Sequence, residues 1–302
     1  MRLAILNLVL RFFVRPVLKF SNAPRRAQRV FDVIGPRLFA GPAFICHLPE
    51  VLGGRVCHWI SVGKVHPRRV ILYFHGGAYF VGSGTAYRGL AARLSKLTGL
   101  RVCVPDYRLL QDAPFPAAFD DAYAATCWAE TEFSEPIVLA GDSAGGNLAA
   151  AVALHARDRL TCLLGQVLIY PGLGGDVDAG SYIEHAEAPL LQRSYVVKYA
   201  GVRAANGKAP EGDATYAPLQ DTDFSNLPPT IVFSAQCDPL CDDGQVYCDR
   251  IHAAGGKAHW IREDGLVHGY LRARTSVARA RDSFERIVLA IEALGQEIWP
   301  YD

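Results

Sequence analysis

The chain has 302 residues, half of them hydrophobic and a fifth charged, with 31 Lys+Arg against 30 Asp+Glu and a net charge of +1. That length can bury one large core, and the balanced charge excludes a dedicated nucleic-acid surface or a strongly acidic partner. Eight cysteines (Cys46, Cys57, Cys103, Cys127, Cys162, Cys237, Cys241, Cys248) form no Cys-x-x-Cys pair, so they read as buried small hydrophobes in a reducing, cytoplasmic setting.

From Met1 to Phe20, Leu3, Leu6, Leu10, Phe13 and Val17 recur at helical spacing, with Asn7, Arg11, Arg15 and Lys19 on another face. The pattern predicts an amphipathic helix. Arg11 and Arg15 interrupt the apolar run well short of the roughly 18 residues a membrane span needs, and no signal-peptide cleavage pattern follows. Seven basic residues precede the first acid, Asp32. Weak peripheral contact with anionic lipid is therefore one reading of this helix; packing of its apolar face on the protein itself is the other.

A Pro/Gly-rich passage (Gly35-Pro36, Gly41-Pro42) precedes predicted strands at Val56–Val62 and Arg69–Phe74, the second a nearly continuous apolar run of the buried parallel type. It ends in His75-Gly76-Gly77-Ala78. A helix follows around Tyr87–Thr98, then a strand at Leu100–Pro105, a helix at Phe115–Thr131 and a strand from Ile137. After an Ala-rich helix, Leu163–Tyr170 reads as a strand. From Pro171 to Pro229 the alternation fails, apart from a helix around Arg193–Ala200, which indicates an insertion over a site rather than a simple connection. Regularity returns with the strand Thr230–Ala235, the helix Gly244–Ala254, the strand Lys257–Ile261 and a last helix Ser276–Leu294. This alternation predicts an α/β fold with a mostly parallel sheet covered on both faces.

Between the Ile137 strand and the Ala-rich helix lies Gly141-Asp142-Ser143-Ala144-Gly145-Gly146. A G-x-S-x-G turn between strand and helix is a nucleophile elbow, whose small residues allow the sharp turn that exposes the serine hydroxyl. A serine needs a base within reach and an acid to orient that base. Asp238 follows the strand Thr230–Ala235, and His268 lies in Asp264-Gly265-Leu266-Val267-His268-Gly269 after the strand Lys257–Ile261, giving the order Ser, Asp, His. Asp242 and Asp243 compete as acids but suit the capping of the helix they begin. His155 and His259 fall inside a helix and a strand. Backbone donors for an oxyanion are expected at Ala144, Gly76 and Gly77. Cys237, Cys241, Cys248 and His252 are the only metal-like grouping, and one helix face cannot close a tetrahedron, so no metal site is expected.

His75-Gly76-Gly77-Ala78, Gly141–Gly146, Asp238-Pro239-Leu240-Cys241-Asp242 and His268-Gly269-Tyr270 together resemble the signature set of the hormone-sensitive-lipase-like esterases of the α/β-hydrolase superfamily. The resemblance runs from about Arg69 to the C-terminus and includes Asp106-Tyr107-Arg108-Leu109 and Pro114-Phe115-Pro116-Ala117-Ala118. It implies an α/β-hydrolase fold and hydrolysis of short- to medium-chain carboxylic esters through an acyl-enzyme, with neither metal nor organic cofactor and a small-molecule ester as partner. It also implies an N-terminal cap segment over 1–45 and a catalytic domain over 46–302, with 172–228 inserted as a second cap segment. Two departures stand out: Ala78 replaces a third glycine, and Leu110-Gln111-Asp112 replaces Ala-Pro-Glu, leaving the role of that loop open. An amidase or deacetylase would use the same triad. A membrane-surface lipase is suggested by the basic N-terminal helix, and a non-catalytic ligand-binding relative would lack the histidine that this chain retains. Tyr182, Leu190, Leu191, Tyr195 and Tyr199 are candidates for an acyl pocket, with packing inside the insertion as the competing account. The oligomeric state is left open.

Overall fold

The runs Val70–Phe74 and Ile137–Ala140 are unbroken in apolar character because the sheet they form is covered on both faces. Ile71, Tyr73, Val138 and Ala140 enter one core cluster with Tyr87, Leu90 and Ile287. Their alternates Val70, Leu72, Ile137 and Leu139 enter another with Phe119, Leu148 and Tyr247. Burying one such aliphatic side chain is worth roughly 1.5–3 kcal/mol. An exposed ion pair contributes about 1 kcal/mol or less, so these clusters hold the layers together.

The computed structural model describes residues 24–301 apart from 43–44, 53, 67, 134–135 and 205–206. The helix expected over Met1–Phe20 lies outside the described residues. The strands are β1 Cys46–Leu52, β2 Arg55–Ser61, β3 Val70–Phe74, β4 Arg101–Pro105, β5 Ile137–Asp142, β6 Leu163–Ile169, β7 Thr230–Cys237 and β8 Ala258–Val267. They form one sheet in the order β1-β2-β4-β3-β5-β6-β7-β8. The β1–β2 and β2–β4 pairs are antiparallel and the remaining pairs parallel. The helices are α1 Pro24–Leu38, α2 Gly84–Thr98, α3 Ala117–Phe133, α4 Ala144–Ala156, α5 Gly180–Glu184, α6 Arg193–Arg203, α7 Cys241–Ala253 and α8 Ala278–Gly295. Residues of α1, α2 and α8 enter the first cluster, and residues of α3, α4 and α7 the second. This is the α/β-hydrolase arrangement.

Two elements had no sequence expectation. Strand β1 exposes Leu48 and Val51 and carries Pro49 opposite His58. An edge strand tolerates proline because one side of it needs no ladder partner, and neither apolarity nor alternation marks it. Gly35-Pro36 belongs to the last turns of α1 rather than to a connection, and Phe39 N–H closes that end on Gly35 O at 2.9 Å. Glycine is required at 35, since a Cβ there would stand 2.6 Å from that of Ala86. Helix α1 therefore sits tightly on α2, with Phe31 and Phe39 against Tyr87. Gln28 grips Gly82 through both its backbone groups, and Asp32 accepts from Ser83 Oγ at 2.7 Å.

Strand β8 runs through Asp264–Val267, the stretch expected as loop. Gly265 at φ 71° and a register shift opposite Ala235 and Cys237 absorb an irregularity, while Gly265 N–H donates to Gln236 Oε1 at 2.7 Å. His268 is thus delivered by a paired strand.

The insertion between β6 and β7 is fastened to α7 by the two acids expected as helix caps. Asp242 Oδ2 accepts from Ser181 N–H at 2.8 Å, and Asp243 Oδ2 accepts from Leu173 N–H at 2.6 Å and Tyr182 O–H at 3.1 Å. Burial pushes the Asp243 carboxyl from 3.8 up to about 7, against the opposing effect of the N–H groups of Leu173 and Gly175 and the Tyr182 hydroxyl. A carboxyl raised in the folded state binds a proton that the unfolded chain releases. Its stabilising contribution is complete below 3.8, declines as pH rises and is gone above about 7. The urea midpoint should therefore fall between about pH 5 and about pH 7.5, and fall less for Asp243→Asn. Equal declines in the two proteins would assign the change to other groups. None of the described helices is long and apolar enough to cross a membrane.

Candidate active site

In parallel sheets, ligands bind at the carboxyl ends of the strands, and here β3, β5, β7 and β8 end at one edge with His75-Gly76-Gly77, Ser143, Asp238 and His268. Ser143 holds φ 56° and ψ −118° at the start of α4, a conformation non-glycine residues rarely adopt. The neighbouring glycines make the turn possible. A Cβ on Gly141 would lie 2.3 Å from Gly145 O, and one on Gly145 would lie 1.9 Å from Phe74 O. Ser143 N–H is tied to Ile169 O at 2.9 Å.

Ser143 Oγ lies 2.8 Å from His268 Nε2, and His268 Nδ1 lies 2.6 Å from Asp238 Oδ2. With Nδ1–H donating to the carboxylate, Nε2 is left to accept from the serine hydroxyl. Asp238 is fully buried, its Oδ1 accepting from Leu240 N–H at 3.1 Å. Tyr170 meets the His268 ring edge-on at 4.9 Å. Asp242 faces Ser181 instead, His155 packs edge-on to Tyr123, and His259 stacks on Tyr301 at 3.7 Å.

The Gly76 expectation is corrected: its N–H donates to Asp142 Oδ1 at 3.0 Å and is not free for substrate. No hydrogen-bond acceptor faces the N–H groups of Gly77, Ala78 and Ala144 among the described residues. Gly77 at φ 136° leaves no room for a side chain, since a Cβ would lie 1.8 Å from Val81 O, and Ala78 and Tyr79 continue at φ 53° and 64°. Leu110 N–H ties the divergent Leu110-Gln111-Asp112 loop to Tyr79 O at 2.8 Å, giving that loop a bracing role. Beneath, His75 stacks on Tyr107 at 4.3 Å, and burial holds its imidazole below the ordinary range.

Beyond its place in the Gly141–Gly146 motif, the sequence alone assigns Asp142 no role. Buried under the elbow, it accepts from Tyr73 O–H at 2.9 Å, Tyr87 O–H at 3.2 Å and Tyr170 O–H at 3.3 Å as well as from Gly76 N–H. It thereby joins the serine turn to the His75-Gly76-Gly77 turn. An acid next to the elbow serine is the one signal the sequence offers; three tyrosines from separate elements carry none.

A cavity of about 180 Å³ opens on Ser143 and Ala144. Val177, Tyr182, Leu191, Val196 and Tyr199 of the insertion wall it, with Ala78, Tyr79 and Leu240 opposite. Leu190 and Tyr195 do not line it: Leu190 enters the core cluster, and Tyr195 stacks on Tyr199. Asn147 closes the floor, accepting from Tyr79 O–H at 2.8 Å and donating to Gly172 O at 2.8 Å. No group of three or more His, Cys, Asp or Glu side chains among the described residues is arranged to hold a metal ion.

Residues 71–272 match a family described as an α/β hydrolase fold. The chain is 32% identical to the carboxylesterase NlhH of Mycobacterium tuberculosis over 234 residues, 74% of this chain and 73% of that one. It is 33% identical to an arylesterase of Saccharolobus solfataricus over 214 residues, 68% of this chain and 70% of that one. Among solved structures, an esterase of Pyrobaculum calidifontis superposes with a TM-score of 0.80 at 27% identity, covering 94% of this chain and 99% of its own.

Proposed function

The chain belongs to the α/β-hydrolase fold family, in its hormone-sensitive-lipase-like esterase branch, and is a carboxylic ester hydrolase; we propose that Ser143 is its nucleophile, His268 its general base and acid, and Asp238 the carboxylate that orients His268. The observation that carries this assignment is the unbroken hydrogen-bond chain from Ser143 Oγ through the imidazole to Asp238, at the mouth of a cavity.

Ser143 Oγ attacks the ester carbonyl carbon as its proton passes to His268 Nε2, and Asp238 stabilises the resulting imidazolium. The oxyanion that forms is held by the N–H groups of Gly77, Ala78 and Ala144, each worth on the order of a hundredfold or more in rate. The partial positive charge at the N-terminus of α4 favours the same oxygen. Collapse of the intermediate breaks the ester C–O bond, and the departing alcohol takes the proton from Nε2. Water, deprotonated by His268, then attacks the acyl-enzyme, releasing the acid and restoring Ser143.

Residues 172–228 act as the cap that selects substrate, and the walls they give the cavity support this reading. Within the 1–45 segment, α1 braces the Gly82-Ser83 turn rather than lining the cavity. A small cavity of about 180 Å³ with mainly apolar walls suits a small ester with a short to medium acyl chain. Across 4-nitrophenyl esters of increasing chain length, kcat/KM should therefore peak at short to medium acyl chains and fall at long ones. Removal of residues 1–20 should shift that profile. A flat response out to long chains would exclude the cavity as the acyl site, and an unshifted profile would exclude the N-terminal segment from the cap.

A further inference from the structure

Gly77, Ala78 and Tyr79 follow one another at positive φ, 136°, 53° and 64°. Backbone of this kind persists only where its surroundings over-determine it. Phe80 N–H and Val81 N–H close the turn on Gly77 O at 3.0 and 3.1 Å, and Leu110 N–H holds Tyr79 O at 2.8 Å. Ala78 has only a methyl group to add, so the remaining constraint falls on the buried side chain of Tyr79. Its hydroxyl donates to Asn147 Oδ1 at 2.8 Å, and burial pushes its pKa up to about 12, so it stays a donor. Asn147 N–H in turn donates to Ser143 O at 3.1 Å, in the first turn of α4, which also carries Ala144 N–H. One hydrogen bond thus spans the two halves of the oxyanion site, Gly77 and Ala78 on one side and Ala144 on the other.

The Tyr79 ring is held from the insertion. Arg203, the last residue of α6, sets its guanidinium carbon 4.2 Å from the Tyr79 ring centroid, 4.3 Å from that of Tyr216 and 5.4 Å from that of Phe115. Arg203 Nη1 and Asn147 Nδ2 donate to the same acceptor, Tyr216 O, at 2.7 and 3.2 Å. Tyr79, Asn147, Tyr216 and Arg203 therefore close into one cluster. Nη2 is buried there with no hydrogen-bond partner among the described residues, a desolvation cost that an uncharged side chain would not carry. What the planar cation adds is a flat face against the Tyr79 ring. We propose that Tyr79 is a positioning residue for the oxyanion donors, held at its hydroxyl by Asn147 and at its ring by Arg203, so that the insertion sets the geometry of the oxyanion site as well as walling the cavity. The inference rests on the assignment of Ser143 as nucleophile and of Gly77, Ala78 and Ala144 as donors.

Tyr79→Phe removes only the hydroxyl and keeps the ring. With 4-nitrophenyl butanoate its kcat, counted per serine titrated by an alkyl phosphonate, should fall about tenfold, the effect of one buried hydrogen bond, while KM stays within about threefold. The inhibition constant of butyl trifluoromethyl ketone should rise by the same factor, because its adduct with Ser143 Oγ carries the oxyanion. Arg203→Met should also lower kcat, Arg203→Lys should recover part of the loss, and the Tyr79→Phe/Arg203→Met double variant should lose less than the product of the two. A rise in KM with kcat unchanged would make Tyr79 a cavity wall only and overturns the proposal. So does a fall in kcat with the inhibition constant unchanged, or losses that simply multiply in the double variant. Ser143→Ala separates the two levels. If it retains activity, the catalytic assignment fails and the positioning role with it; if it is inactive while Tyr79→Phe keeps its kcat, the positioning role alone fails.

Discussion

Replacement of Ser143 by alanine is expected to lower kcat/KM for a short 4-nitrophenyl ester by about four to six orders of magnitude while the protein stays folded. On the proposed assignment the loss is large because a nucleophile and its base act as a unit: with Oγ gone, His268 would have no proton to take and no acyl-enzyme would form. The fold should survive for structural reasons. Ser143 provides no side-chain cap to α4, and its only side-chain hydrogen bond among the described residues is to His268, which Asp238 still holds. Alanine adds no atom to a position that already tolerates φ 56°. Steady-state kinetics with urea unfolding decides the matter, and a change in unfolding free energy of less than about 1 kcal/mol is expected. Activity within tenfold of the parent would remove Ser143 from the mechanism.

The second large effect falls on a residue that touches no substrate. Asp142→Ala should destabilise the protein by about 3–5 kcal/mol, because removing one member of a buried polar network leaves the others unsatisfied. The hydroxyls of Tyr73, Tyr87 and Tyr170 and the N–H of Gly76 would all lose their acceptor at once. Burial, reinforced by Asp142, holds these tyrosines well above their usual pKa, so they remain donors and cannot compensate. Freed from Asp142, Gly76 would let the adjacent N–H groups of Gly77 and Ala78 drift from the oxyanion, and misplacement of about 1 Å can cost about a hundredfold in kcat. Asp142→Asn should fall between, since its amide oxygen still accepts while its NH2 group faces other donors. Paired measurement of kcat and unfolding free energy checks both claims. An Asp142→Ala protein as stable as the parent would show that the network is not a scaffold.

Much of this molecule is legible in its sequence because much of it is locally dictated. Buried parallel strands need continuous apolar runs, so β3 and β5 announce themselves. The elbow needs near-absent side chains where backbones cross, so Gly141 and Gly145 bracket Ser143. A triad on one sheet edge requires its members at strand ends, so Asp238 and His268 stand out from the other acids and histidines. Order along the chain, turn chemistry and hydrophobic period suffice for those inferences.

What escaped depends on pairings that leave no local trace. Strand β1 is defined by its ladder to β2 rather than by its own composition. Gly76 looks as capable a donor as Gly77 until Asp142, 66 positions away, is seen to occupy its N–H. Asp243 reads as a helix cap until the insertion folds back onto it. Arg203 is one arginine among many until two tyrosine rings from distant segments close over it in the wall of the cavity that Ser143 also lines. The chain by itself determined the fold class and the chemistry, because strand runs, turns and motif order are properties of neighbouring residues. Only the tertiary structure decided which N–H groups are free, what supports the elbow and what walls the cavity, because burial and unmet hydrogen-bonding capacity exist only once distant segments pack.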